Sequence, residues 1–134
     1  TQIIMGAFVS GLDAGNIYQT WPFMGENYFP NDIDIIDYKN FFEFDNHSLV
    51  QFYHRNFAYL IIFYVLLLSF HIFKKKSYHL YKSLITLLLI VFLQVLLGIF
   101  TLVSGLNIYL ASAHQITSVL LIFSALNLYY LKTK

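Results

Sequence analysis

The sequence contains no cysteine, which excludes a disulfide framework, thiolate metal sites and thiol chemistry. Charge is scarce too. Asp, Glu, Lys and Arg make up 11% of the 134 residues, against roughly 25% in soluble domains. Proline occurs only at Pro22 and Pro30, and all seven acids fall between Asp13 and Asp45. What the chain has instead is apolar surface, 58% hydrophobic residues, more than a water-soluble fold of this length could bury. The net charge of +1 says little, and the lysines read as topology signals rather than as a nucleic-acid patch.

The apolar runs predict an all-α integral membrane helical bundle. Ile3–Leu12 is about half a crossing, so residues 1–12 form a partial span. Residues 52–73, 84–103 and 108–131 are each long enough for a hydrocarbon core of about 30 Å. Only Ser104, Gly105, Leu106 and Asn107 separate the last two, which makes those helices antiparallel neighbours. Residues 13–49 hold both prolines, Gly15, Gly25 and many aromatics, and read as a loop; Asp13 and Gly15 fit a helix exit followed by a turn. A short amphipathic segment near Ile33–Phe42 is one option within that loop. Starting at Thr1 inside an apolar run, without a basic leader or a small-residue cleavage site, the chain reads as part of a longer protein rather than one opening on a signal peptide.

Lysine placement gives an orientation. Lys74, Lys75, Lys76 and Lys82 crowd the short connection after the first full span, and Lys132 and Lys134 follow the last, on the same side. The acids lie on the other side, with Lys39 among them. The positive-inside rule puts the lysine loop and the C-terminus in the cytoplasm or an organelle matrix. Tyr28/Phe29, Phe41/Phe42 and Tyr129/Tyr130 suit the interfacial aromatic belts.

Ionisable residues within spans are costly and therefore candidates for function. His54 lies roughly 6 Å past Val50, and His114 roughly 10 Å past Asn107, at about 1.5 Å per residue. They sit at similar depth on different helices. His71 belongs to the opposite interface, His79 to the lysine loop and His47 to the outer loop. Two facing neutral imidazoles suit the two axial positions of a haem, and Ala58, Gly98, Ala111, Ala113 and Ser118 leave room for a flat macrocycle. The plainer alternative is that each imidazole hydrogen-bonds a neighbouring carbonyl. Zinc would need three or four protein ligands. Arg55 either snorkels to lipid phosphates or pairs its fork with a haem propionate. Gln51, Gln94 and Gln115 read as bundle-facing hydrogen bonders between helices.

"GAFVSGLDAGNIYQTWPFMG" at Gly6–Gly25, "FFEFDNHSLVQFYHRNFAY" at Phe41–Tyr59, "QVLLGIFTL" at Gln94–Leu102 and "ASAHQITSVLL" at Ala111–Leu121 resemble the C-terminal half of the haem A synthase family. The resemblance covers essentially the whole chain, in order. It implies the C-terminal four-helix half of an eight-span, pseudo-symmetric protein that oxidises a methyl group of haem O to the formyl group of haem A for cytochrome c oxidase. It implies that residues 1–134 bind haem b, with His54 and His114 as axial ligands of its iron and Arg55 as a further cofactor contact. The haem would relay electrons to an N-terminal half holding the haem O substrate.

The family's glutamate three residues before the histidine is Gln51 here, so no catalytic residue is expected in this half, and alone it would be inactive. The cysteine pair of some members is absent, and so is a proline expected before His114. The implied partners are the N-terminal half and membrane lipid, with haem O synthase or a second copy as further options, no electron donor identified and no nucleic acid. The implied location is the bacterial cell membrane or the mitochondrial inner membrane. The competing reading is an electron-transfer cytochrome b module without chemistry of its own.

Overall fold

The computed structural model describes residues 1–33 and 43–134. Lys39, the Phe41/Phe42 pair and all but Ile33 of the segment Ile33–Phe42 lie outside the described residues. The described chain is all-helical, with four α-helices: α1 (Gln2–Gly11), α2 (His47–Lys74), α3 (Tyr81–Val103) and α4 (Ile108–Thr133), plus single 3-10 turns at Ala14–Asn16 and Tyr78–Leu80. Among the described residues α2, α4 and the stretch Tyr78–Val103 are long and apolar enough to cross a membrane, while α1 is shorter.

Caps explain where the helices depart from the predicted limits. Asn46 accepts the Leu49 N–H through its side chain, so α2 starts at His47 rather than at Phe52. Its 28 residues extend about 42 Å at ~1.5 Å per residue. Asn107 caps α4 in the same way, accepting from Tyr109 and Leu110 N–H. Two helices end in left-handed C-caps. Leu106 N–H bonds Thr101 C=O and Gly105 N–H bonds Leu102 C=O, with Gly105 at φ 72°. At the end of α2, Lys76 takes the glycine position at φ 52°, and Ser77 N–H reaches Ile72 C=O. Asp13 (φ 50°) turns the chain out of α1, the exit and turn that its sequence predicts.

The helices associate as two antiparallel pairs, α1 with α2 and α3 with α4, joined more sparingly between α2 and α3. A cluster of buried apolar side chains, Val65, Ile72, Leu80, Leu84, Leu87, Val91 and Leu128, lies towards the lysine-bearing end. Asn127 donates to Ser83 there and ties α4 to α3. Large side chains such as Phe63 (61% exposed) and Leu89 (65%) face outwards. Lipid tails solvate such a surface, while the helices satisfy their own backbone groups.

The segment before α2 is tied down at the other end of the bundle. Gly15 is buried beneath Leu106, so that a Cβ at residue 15 would stand 2.7 Å from Leu106 Cδ2. Tyr18 and Ser48 hydroxyls donate to the two carboxylate oxygens of Asp32, at 2.8 and 2.6 Å. Trp21 Nε1 donates to the Tyr59 hydroxyl, and Tyr28 donates to Asn56.

Candidate haem-ligand site

Around the two intramembrane histidines the packing differs from the apolar core. Residues 52–59 of α2 and 94–99 of α3 are half-buried, apart from the exposed Leu93 flank, and His114 is half-buried on α4. His54 lies on α2, eight residues into the helix, and His114 on α4, seven residues into the helix, and each is contacted by the helix paired with its own. The structure leaves His71 exposed in the last turn of α2, His79 exposed in the 3-10 turn, and His47 exposed at the start of α2. Among the described residues no group of three or more His, Cys, Asp or Glu side chains gathers into a metal site.

Each imidazole is held by the other helix of its own pair. On α1, Gln2 Nε2 donates to the His54 carbonyl at 3.0 Å and lies 3.3 Å from His54 Nδ1. One turn on, a Cβ at Gly6 would stand 3.3 Å from His54 Cε1. On α3, Gln94 Nε2 donates to the His114 carbonyl at 3.1 Å and lies 3.4 Å from His114 Nε2. One turn on, a Cβ at Gly98 would stand 3.0 Å from His114 Cε1. His114 Nδ1 lies 3.1 Å from the Gln94 carbonyl. That carbonyl can only accept, so Nδ1 carries the proton and Nε2 keeps the lone pair that a metal would use.

These contacts satisfy the plainer reading of the histidines in part, since His114 does bond a neighbouring carbonyl, and the bond leaves the lone pair on Nε2. They also sort the glutamines. Gln94 bonds between helices as its position predicts. Gln51 does not: its Nε2 donates to the Tyr18 carbonyl of the preceding loop at 2.9 Å, because the loop folds back onto the first turns of α2. Gln115 faces outwards, exposed, since the bundle side of α4 at that level belongs to His114. Gln2 and Gly6 were not singled out in the sequence. The signal that would have found them is the repeat of Gln-x-x-x-Gly in "QIIMG" and "QVLLG", which places an amide and a gap on one helix face at i and i+4.

Arg55 neither reaches outwards nor stands free. Its Nη1 donates to the Thr20 and Phe23 carbonyls at 2.9 and 3.2 Å, and its Nη2 to the Tyr18 carbonyl at 2.9 Å. With Gln51 one turn earlier and Tyr59 one turn later, it forms a stripe on α2 that grips the loop. Arg55 Nε is buried and has no partner among the described residues. In the loop itself, burial alone would raise the Asp32 carboxyl, but the hydrogen bonds from Ser48 and Tyr18 outweigh it and hold the carboxyl below its ordinary range. The Tyr18 phenol is pushed above its usual value by burial and by the Asp32 carboxylate.

Fold and site together define a helical membrane protein in which two antiparallel helix pairs each carry one histidine, clasped by a glutamine and a glycine of the same pair. The cytochrome oxidase assembly protein family, COX15-CtaA, matches residues 1–126, and the chain belongs to that family. It is 44% identical over 123 residues to the heme A synthase of Pelagibacter ubique, covering 92% of this chain and 36% of that protein. It is 40% identical to the heme A synthase of the Wolbachia of Brugia malayi (93% and 36% coverage), and 38% identical to that of Flavobacterium johnsoniae (90% and 36%). The chain thus spans about a third of the length of these relatives. No solved structure matches it.

Proposed function

We propose that the chain is the haem-b-binding half of a haem A synthase, in which His54 and His114 are the axial ligands of one b-type haem that passes electrons to the half where haem O is oxidised to haem A. The observation that carries this reading is the pair of half-buried imidazoles on separate helices, each clasped by a glutamine amide and a glycine of the helix paired with its own. Family membership and the names of the relatives supply the reaction. The donor set fits the group: two neutral imidazoles, no thiolate, and a buried guanidinium N–H at Arg55 Nε left for a propionate. When bound, the haem supplies one-electron redox chemistry.

The protein's own residues do the rest. Gln94 C=O keeps the His114 proton on Nδ1, and Gly6 and Gly98 let the imidazoles seat against α1 and α3. Arg55 and Gln51 hold the loop over the site and exclude water. Gln51 carries an amide where the family's glutamate stands, and that amide is committed to a loop carbonyl, so this half supplies no carboxylate to the oxidation. The lysine-bearing end faces the cytoplasm or matrix, and the histidines lie towards the outer face. The test is haem analysis of the full-length protein with the other half's histidines replaced. A low-spin b-type spectrum should remain, and His54→Ala or His114→Ala should abolish it or convert it to high-spin. An unchanged low-spin spectrum in both alanine variants would sink the assignment.

A further inference from the structure

We infer that Gln2 and Gln94 are positioning residues that fix the rotation of the His54 and His114 rings, each working with the glycine four residues on. This rests on the axial-ligand reading above. The clasp occurs twice, with the same residue types at the same spacing, although the amide approaches Nδ1 of His54 and Nε2 of His114. A glutamine Nε2 donates to the carbonyl oxygen of the histidine on the antiparallel neighbour, at 3.0 Å in one pair and 3.1 Å in the other. In a helix that oxygen already accepts one N–H, and its second lone pair is what the amide takes. The amide also comes within 3.3 or 3.4 Å of a ring nitrogen. Glycine then sets the limit on the other side, against Cε1. Caught between an amide and a bare Cα one turn apart, the ring has little freedom to turn about its own axis.

The two clasps also leave the same atom unused. Gln2 Oε1 and Gln94 Oε1 are both buried without a partner among the described residues, and an unpaired buried amide oxygen costs free energy. The amides are held by the histidine, not by their own oxygens, which is the expected arrangement if their role is to address the histidine. At His114 the contact to Nε2 is longer than an ordinary hydrogen bond. It covers the lone pair weakly and yields it to a stronger acceptor of that pair. Partners of metal-bound histidines commonly set ring orientation and ligand strength in this way.

The relative rotation of two axial imidazole planes sets the g anisotropy of a low-spin ferric haem, and the strength of its ligands sets the midpoint potential. Both are read in the full-length protein loaded with haem b, with the other half's histidines replaced. Gln94→Met keeps the length and loses the donor. It should shift the largest g value and the midpoint potential, and weaken retention of added haem b by about tenfold. Gly98→Ala should shift the g values by pressing on Cε1. Gly11→Ala, whose Cβ meets nothing within 4 Å, should change neither.

Native g values and potential in both Gln94→Met and Gly98→Ala would overturn the clasp. If either protein fails to accumulate in membranes, Gln2→Met and the milder Gly6→Ala decide by the same criterion. His114→Ala, run alongside, keeps the two ideas apart. An unchanged low-spin signal there removes the axial-ligand reading. Its loss there, with native signals in the clasp variants, removes only the clasp.

Discussion

At the scale of single residues, Arg55 shows how a charge near a membrane surface can be spent on backbone. Its three hydrogen bonds go to carbonyls of residues 18, 20 and 23, which a turn-rich loop does not pair in a backbone ladder. Hydrogen bonds involving a charged group are worth about 1.5–3 kcal/mol each. Arg55→Ala should therefore release the loop, seen as faster proteolysis after residues 18–23 in membrane-embedded protein. Arg55→Lys should rescue this only in part, since an ammonium cannot fork across three acceptors; full protection in the lysine variant would refute that geometry. Asp32 adds a pH dependence. Its carboxyl lies below the unfolded value, so its contribution is present above about pH 4 and is lost as pH falls through the lower folded value. Tyr18, raised, keeps its contribution until pH climbs through its folded value, above about 10. Loop protection should hold between these limits, and Asp32→Asn should flatten the acid limb and move the alkaline limb towards lower pH, since the carboxylate helps to raise Tyr18. An acid limb unchanged in that variant would assign it to another carboxylate.

At the scale of elements, the connections are as informative as the helices. Gly15 packs the loop backbone against the α3–α4 turn, and the obstructing atom is the tip of Leu106. Gly15→Ala should destabilise the fold, and Leu106→Ala in the same protein should recover most of the loss, as measured by unfolding in bicelles; simple additivity would show that the two sites do not touch. Asn127→Ala should cost about 0.6 kcal/mol by the same assay, the usual worth of a polar pair between membrane helices. The helices themselves were legible in the sequence because an apolar run of crossing length has few other uses. The starts of α2 and α3 were less legible. Asn46 moves the first by capping, and a 3-10 turn moves the second, although both stretches are too polar to register as membrane span. The partner of Arg55 was not legible at all. It is made of backbone carbonyls, which no side-chain pattern encodes. Gln2 escaped for a different reason: one glutamine at the edge of an apolar run is unremarkable until its counterpart at Gln94 is seen holding the second histidine.

At the scale of the whole molecule, α1 and α3 run towards one membrane face, and α2 and α4 return from it. The lysines at 74–76, 82, 132 and 134 consequently gather at the opposite end from residues 13–33. A membrane-impermeant amine label applied from outside sealed, correctly oriented vesicles should leave them unmodified, and reaction at Lys74–Lys76 would reverse the proposed sidedness. Each imidazole is aimed by contacts inside its own helix pair, while the pairs meet more sparingly than the helices within either one. The weakest seam in the molecule therefore runs between the two pairs, and the contacts that aim each ring lie inside a pair and off that seam. On the proposed reading, a flat guest would enter by parting the pairs like the covers of a book, without breaking the contacts that aim either ring.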